Sequence, residues 1–341
     1  MAVSIRDVAN QAGVSVGTVS NVLNRPESVA AHTVDRVRAA IDALGYVRND
    51  AARQLRAGRS DTVGLVVLDA GNPFFSDLAR GAEDAAAERG LSVLLGNSDE
   101  RPDREDAYLG LFEEQRVRGV LLSPSSERLE TAERLRAHGI PVVLVDRSAP
   151  GSPFSSVAVD DEHGGYIAAR HLLDQGRRRI AFVGGQRSLR QVADRLAGAE
   201  RAAAETPGGR VEHVPTEQLT VLAGREAGAA LGARAPRPDA VFAVNDLVAL
   251  GVMQALVMLG SVRIPEDVAL IGYDDIAFAQ SAVVPLTSIR QPAHLIGSTA
   301  LALLDALAAD PTHATETIEF DPELVVRAST GARPESGTDP S

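Results

Sequence analysis

Short, continuous apolar runs alternate with stretches of helical periodicity along most of this chain, and this alternation constrains the fold more than any other feature. The apolar runs are 63–68, 92–95, 119–122, 141–145, 179–183, 240–244 and 268–271. The intervening stretches, such as 76–90 and 104–117, are rich in Ala, Arg and Glu. Strands that are apolar along their whole length are typical of parallel sheets covered on both faces by helices. The pattern therefore predicts an α/β body of two doubly wound parallel-sheet lobes.

The composition is that of an ordinary globular protein, and it excludes several kinds of chemistry. The chain has 341 residues, of which 45% are hydrophobic, and it contains no Cys. All 34 of its basic residues other than His are Arg. Disulfides, thiolate metal sites, cysteine nucleophiles and lysine-dependent phosphate loops are therefore impossible. The seven His residues have no metal-ligand spacing and no G-x-S-x-G is present, so we expect no enzyme, no metal and no cofactor.

The chain begins without the apolar segment of a secretory signal, and no apolar run approaches the length of a membrane span. We therefore expect a soluble, cytoplasmic protein.

Charge is unevenly distributed along the chain. Residues 1–60 contain eight Arg and five acidic residues, which leaves 26 of the 34 Arg and 41 of the 46 acidic residues for 61–341. A basic head on a strongly acidic body is typical of a nucleic-acid-binding segment joined to a domain of another kind.

The first 45 residues predict three short helices. The first helix begins after Ser4, whose hydroxyl is followed three residues later by the carboxylate of Asp7, and it ends at Gly13. Ser15 caps a second helix, and Thr33 caps a third that Gly45 closes. Two helices about a tight glycine turn, held by a third, are typical of an all-α helix-turn-helix DNA-binding head. The alternative interpretation is a small helical cap on the larger domain.

The outward side chains of the second helix have the chemistry that reads DNA. Asn donates and accepts at adenine, Ser and Thr reach phosphates or bases, and Val contacts the thymine methyl group. The candidate DNA-binding residues of this head are Ser15, Val16, Gly17, Thr18, Ser20 and Asn21.

Residues 48–60 differ from an ordinary linker because they contain Ala and Arg where Gly, Ser or Pro would be expected. As a short helix, this segment offers an apolar wedge, Leu55, between the phosphate-binding side chains of Arg53 and Arg56. Such a wedge can open a base step from the minor groove. We therefore add Asn49, Arg53, Leu55 and Arg56 to the DNA-binding candidates.

These motifs together resemble the head and hinge of the LacI/GalR family of bacterial repressors. The segments that carry the resemblance are 5–9, 14–15, 18–24, 44–46 and 49–55, and it extends to about residue 330. The resemblance implies that the second helix lies in the major groove, where Val16, Gly17 and Asn21 read bases. It also implies that the hinge helices of two subunits pair in the minor groove and insert Leu55 at the centre of a pseudo-palindrome.

The body also resembles the periplasmic sugar-binding proteins, particularly the ribose-binding type, and its polar residues follow strands where such sheets bind ligands. Carboxylates, amides and Arg bind vicinal hydroxyls, and the two Phe can stack on the apolar face of a sugar. Leu219 stands where that type often has an aromatic residue. The effector-binding residues that the resemblance implies are Asn72, Phe74, Phe75, Asp146, Arg147, Arg195, Leu219, Asn245, Asp274 and Gln291.

We therefore expect a sequence-specific DNA-binding transcriptional repressor that binds pseudo-palindromic operator DNA as a homodimer. A small sugar, a ribose-like pentose or a hexose, would relieve operator binding by moving the lobes and separating the hinges. The alternative is a co-repressor design, in which a purine or phosphosugar tightens DNA binding.

The sequence predicts four consecutive segments, from the head to a polar tail. The tail has no leucine heptad, so we expect no C-terminal tetramerisation coil. The predicted segments are a head at 1–47, a hinge at 48–60, an effector-binding and dimerisation domain at 61–330 with lobe 1 at about 61–160 and 290–321 and lobe 2 at about 161–289 and 322–330, and a disordered tail at 331–341.

Replacing the wedge tests the predicted hinge. Leu55→Ala should weaken operator binding by on the order of 10-fold, because the side chain that holds the base step open is lost. Sugar affinity should not change, because the wedge does not contact the effector. Fluorescence anisotropy with a labelled operator and calorimetry with the sugar measure the two quantities. Unchanged operator affinity would contradict the minor-groove role.

Overall fold

The computed structural model describes residues 3–46, 60–258 and 262–331. The chain divides into two units, residues 1–60 and 61–341. The hinge candidates Asn49, Arg53, Leu55 and Arg56 lie outside the described residues, as does the predicted tail from residue 332 onward.

Among its described residues, the first unit contains three helices, α1 (Ile5–Ala12), α2 (Val16–Asn24) and α3 (Ala31–Leu44), with a short 3₁₀ turn at Pro26–Ser28. One small apolar core holds them together. Its buried members are Val8, Ala9, Ala12, Val19, Val22, Val34, Val37 and Ala40. The predicted helix-turn-helix head is confirmed.

Local hydrogen bonds set the ends of the first two helices. The backbone N–H of Ser4 donates to the Asp7 carboxylate (2.8 Å), and the Asp7 N–H donates back to Ser4 Oγ (3.4 Å), which forms a capping box. Gly13 follows α1 with φ of 60°, a left-handed conformation that glycine adopts without strain. Ser15 Oγ accepts the N–H of Thr18 (3.0 Å) and caps α2.

The third helix begins earlier than the sequence predicts. Its N-cap is Ala30, which provides no side-chain cap, and the prediction of Thr33 as the cap is wrong. The N–H of Thr33 donates to the carbonyl of Ala30 (2.8 Å), so Thr33 already lies within the first turn.

The second unit is an α/β body with twelve strands among its described residues. In chain order they are β1 (Thr62–Val67), β2 (Ser92–Asn97), β3 (Val120–Leu122), β4 (Val142–Val145), β5 (Ser155–Val159), β6 (Arg179–Gly184), β7 (Arg210–Pro215), β8 (Ala240–Ala243), β9 (Ala269–Asp274), β10 (Thr287–Arg290), β11 (Thr317–Phe320) and β12 (Glu323–Val325).

Helices connect these strands and cover the sheets. In chain order they are α4 (Pro73–Ala87), α5 (Pro102–Glu114), α6 (Glu130–Ala137), α7 (Asp161–Asp174), α8 (Arg190–Ala204), α9 (Val221–Gly232), α10 (Asp246–Met258), α11 (Ala277–Ser281) and α12 (Ala293–Ala309). A 3₁₀ turn at Ala328–Thr330 follows the last strand.

The strands form two six-stranded sheets, one in each lobe. The order is β11-β5-β4-β3-β1-β2 in the first lobe and β12-β10-β9-β8-β6-β7 in the second. Neighbouring strands are parallel except for the pair of β10 and β12, which is antiparallel. The chain crosses to the second sheet after β5, returns after β10 and crosses again between β11 and β12. The predicted body of two parallel-sheet lobes is confirmed.

Apolar clusters cover both faces of the first sheet. On one face, Leu65 packs with Leu78 of α4 and Leu301 of α12, and on the other, Val66 packs with Phe112 of α5. Within the described ranges, no helix is long and apolar enough to cross a membrane.

Glycines let helices α7 and α8 of the second lobe approach closely. A Cβ placed on Gly198 would lie 1.9 Å from the carbonyl oxygen of Glu162, and one on Gly165 would lie 2.0 Å from that of Arg195. Any side chain at either position would therefore push the two backbones apart. This close packing sets the distance between Asp161, at the start of α7, and Arg195 in α8.

A matched pair of alanine substitutions tests this packing. Gly198→Ala should lower the free energy of unfolding by about 1–3 kcal/mol, because the methyl group clashes with the backbone of α7. Gly110→Ala is the control, since a Cβ at that position in α5 meets open space. It should leave stability unchanged or raise it by up to about 1 kcal/mol. Urea unfolding measures both, and equal stabilities for the two variants would contradict the close approach.

Candidate functional site

One face of helix α2 is exposed. Val16 is 38% exposed, and Gly17 and Asn21 are also exposed. Val19 and Val22 turn inward and fix the orientation of the helix on the head. The residues that the sequence predicts as the main base readers therefore lie together on one accessible surface.

The hydroxyl residues among the DNA-binding candidates hydrogen-bond within the head. Ser15 Oγ caps the helix and lies 2.9 Å from the hydroxyl oxygen of Thr18. The Asn24 amide donates to the carbonyl and the hydroxyl of Ser20 (2.8 and 3.2 Å). These bonds orient the exposed face around Val16, Gly17 and Asn21.

A cavity lies between the two lobes, where the carboxyl ends of the strands meet. Parallel sheets place their ligands at this edge. Eight of the ten predicted effector residues line the cavity: Asn72, Phe74, Phe75, Asp146, Arg195, Leu219, Asn245 and Asp274.

The two remaining candidates lie elsewhere. Gln291 stands behind the cavity wall, where its amide donates to Asp274 Oδ1 (2.8 Å). Arg147 is not among the lining residues, because its guanidinium donates to the carbonyl of Ser126 (2.9 Å) and to Glu127 Oε2 (2.6 Å). The contact with a ligand that the sequence predicts for Arg147 stays a prediction.

Two sets of buried hydrogen bonds join the lobes across the cavity. Asn72, at the start of α4, donates to Asp274 Oδ2 at the end of β9 (3.1 Å). Gln191, in α8, donates to the carbonyl oxygen and to Oδ2 of Asp146 after β4 (2.8 and 2.9 Å). Each bond occupies a side chain that a ligand could also bind, and together they hold the cavity closed.

Arg195 anchors the wall of the cavity in the second lobe. It is 5% exposed, and its Nε donates to Asp161 Oδ1 (2.7 Å) while an Nη donates to the carbonyl of Val244 (2.8 Å). The guanidinium also lies 3.7 Å from the ring centre of Tyr273. Its charge is therefore balanced within the protein, and its position is fixed from three sides.

Carboxylates dominate the polar lining of the cavity. They belong to Asp69, Glu100, Asp146 and Asp274. Burial raises the pKa of Asp274 to about 6, and burial together with the charge of Asp69 raises the pKa of Glu100 to about 7. Burial, reinforced by the nearby Asp161, also raises the pKa of Asp146.

Left-handed backbone at the strand ends turns several of these carboxylates toward the cavity. The φ angles are 56° at Glu100, 57° at Asp146 and 100° at Asp274. Asp tolerates such angles better than most residues, because its short side chain bonds the local backbone. Glu100 follows β2, Asp146 follows β4 and Asp274 ends β9, which is why they converge on one edge of the two sheets.

The cavity also contains polar residues that the sequence analysis missed. Gln191 lies one helical turn before Arg195 in α8, so the two share a helix face, and that spacing could have indicated it. Glu100 follows β2, and the strand-end rule used for the other candidates could have found it. In the described part of the chain, no cluster of three or more His, Asp or Glu side chains could hold a metal ion.

Comparisons with known proteins match both units. Residues 4–49 match the family of bacterial regulatory proteins named lacI, and residues 169–330 match a periplasmic binding protein-like domain. The HTH-type transcriptional repressor PurR of Vibrio vulnificus (strain CMCP6) is 34% identical over 332 residues, which cover 95% of this chain and 97% of the relative.

Solved structures resemble the whole chain. A complex of the transcriptional regulator CelR with cellobiose is 33% identical, with a TM-score of 0.71, over 96% of this chain and 99% of that chain. The lac repressor dimer, bound to operator and the anti-inducer ONPF, is 26% identical with a TM-score of 0.81, over 97% and 99%.

The raised pKa of Glu100 predicts a pH dependence of stability. Because the folded protein favours the protonated carboxyl, this group adds stability that is fully present below about pH 4.5 and is lost as the pH rises through about 7. Glu100→Gln should therefore gain stability relative to wild type over that interval, by up to about 3 kcal/mol. Thermal unfolding at a series of pH values measures the difference. Glu114→Gln, at an exposed position of α5, should follow wild type throughout. Parallel curves for wild type and Glu100→Gln would contradict the assignment.

Proposed function

The chain belongs to the LacI family of bacterial regulatory proteins, and from this premise we propose that it is a transcriptional repressor whose binding to operator DNA is relieved by a small polyhydroxylated effector. The observation that carries the proposal is that one chain combines the exposed face of helix α2 with a cavity lined by converging polar side chains.

The head supports sequence-specific binding. Val16, Gly17 and Asn21 share an accessible face, where the amide of Asn21 can pair with adenine and Val16 can contact a thymine methyl group. One such helix reads a few base pairs, so a homodimer on a pseudo-palindromic site would double the contact. The related lac repressor forms a dimer on its operator.

The lining of the cavity favours a neutral or cationic ligand over a phosphorylated one. Among the described residues, Arg195 is the one lining cation, and Asp161 already binds it. The acidic lining residues are Asp69, Glu100, Asp146 and Asp274. A phosphate would meet these charges without a free partner, and hydroxyl groups would donate to them. Phe74 and Phe75 pack edge to face, with ring centres 5.0 Å apart, and supply an apolar surface for a sugar ring.

Competition for the bonds that join the lobes provides a route from the cavity to DNA. A hydroxylated effector would bind Asp146 and Asp274, the acceptors that Gln191 and Asn72 now occupy. Exchange of these partners would change how the lobes rest on each other and would thereby weaken the binding of the dimer's two heads to the operator. Moving the operator from mostly bound to mostly free requires about 3–5 kcal/mol of difference in effector affinity between the two states.

The experiment begins with selection of palindromic duplexes from a random pool by the purified full-length protein. A panel of pentoses, hexoses, phosphosugars and purines is then added to the selected complex, and anisotropy follows release. A sugar should release the DNA. Tighter binding with a purine or phosphosugar would favour the co-repressor design, and failure to select any palindrome would contradict operator recognition.

A substitution in the cavity tests the assignment of the effector site. Asp274→Ala should weaken effector binding by at least about 10-fold and abolish release of the operator, because it removes an acceptor held at the junction of the lobes. Asp174→Ala is the control, since this carboxylate pairs with Arg170 at the surface. Calorimetry and anisotropy measure binding and release. A normal sugar response in Asp274→Ala would refute the cavity as the effector site.

A further inference from the structure

The unpaired polar atoms of the cavity are acceptors. Among the described residues that line it, the buried side-chain atoms without a hydrogen-bond partner are Asp146 Oδ1 and Gln191 Oε1. Asp146 is 4% exposed and Gln191 is 6% exposed, so bulk water does not satisfy these atoms. Buried acceptors of this kind are stabilised by a ligand that brings donors.

The charge balance of the cavity points in the same direction. Arg195 pairs with Asp161, and this pair is neutral as a unit. Four acidic side chains then remain among the described lining residues, and burial raises the pKa of three of them, Glu100, Asp146 and Asp274, so it disfavours their ionised forms. Asp69 and Glu100 both line the cavity, and burial together with the charge of Asp69 raises the pKa of Glu100. A neutral sugar brings no charge that would favour ionisation of Glu100 beside Asp69, whereas a cation at this place would.

We propose that the effector carries a cationic amino group in addition to its hydroxyl groups, as an amino sugar or aminated polyol does, and that its ammonium group lies beside Asp69 and Glu100. The inference rests on the proposed effector-controlled function and narrows the ligand class of that same cavity.

The chemistry of an ammonium group matches what the cavity lacks. An ammonium group brings three donors, no acceptor and one positive charge. A hydroxyl group brings one donor together with lone pairs, which the acceptors of the cavity cannot use. Leu219 of the second lobe lines the same cavity as Glu100 of the first, so the Glu100 carboxyl lies where a ligand held between the lobes would meet it. Asp69 and Glu100 therefore act as specificity-determining residues for charge, while Asp146 and Asp274 bind hydroxyls.

Calorimetry with matched probes tests the inference on the full-length protein. The probes are glucosamine, glucose and N-acetylglucosamine, with the corresponding galactose series, at about pH 6.5, where the free amines are charged. Each charged amine should bind at least about 10-fold more tightly than its neutral and N-acetylated counterparts. Glu100→Gln and Asp69→Asn should each reduce this preference several-fold, and Glu114→Gln should retain it in full.

Proton release provides a readout that simple loss of packing would not produce. When the ammonium group binds, Glu100 should ionise and release a proton near neutral pH. The enthalpy of glucosamine or galactosamine binding should therefore vary with the ionisation enthalpy of the buffer in wild type, and vary less in Glu100→Gln.

The outcomes separate this inference from the proposed function. Equal affinity for amines and neutral sugars would overturn the ammonium inference and leave a polyol effector in place. A preference for amines that survives both Glu100→Gln and Asp69→Asn would overturn the assignment to these residues. Absence of binding by every probe would overturn the inference, while the wider panel in the release assay tests the polyol class and operator selection tests the DNA-binding function separately.

Discussion

The buried ion pair between Arg195 and Asp161 organises the second lobe around the cavity. Removing either partner would leave an uncompensated charge in a dry environment, which is strongly destabilising. The pair joins α8 to the start of α7, and the bond of Arg195 to Val244 adds the end of β8. Glycines at the contact of α7 with α8 allow the short distance that the pair needs. The second lobe therefore presents a fixed wall, against which the first lobe can close.

Sequence patterns predicted much of the architecture, because helix capping involves near neighbours and strand burial is visible as an apolar pattern along the chain. Continuous apolar runs predicted the parallel sheets, and Ser4 and Gly13 marked the first helix by capping chemistry that involves only near neighbours. The prediction of Thr33 as the cap was wrong because the helix begins at Ala30 without a side-chain hydrogen bond. Residue preferences at helix N-caps do not predict such a start.

The candidate site was predictable in its place but not in its internal bonds. Strand ends identified the region, since parallel strands bring their carboxyl ends to one edge. Which side chain faces the cavity depends on competing partners that are distant in sequence. Arg147 binds Glu127, 20 residues earlier, and Gln191 binds Asp146 across the lobes. Such choices follow from tertiary contacts that no local pattern encodes.

The left-handed backbone at Asp146 and Asp274 has an evolutionary consequence. Most residues other than Asn, Asp and Gly are strained at these angles, so mutation there conflicts with the backbone as well as with the bonds that join the lobes. Gln191 lies on an ordinary helix, where many side chains fit. Descendants of this chain could thus acquire new metabolite preferences by drift along α8 while the acidic strand ends stay unchanged.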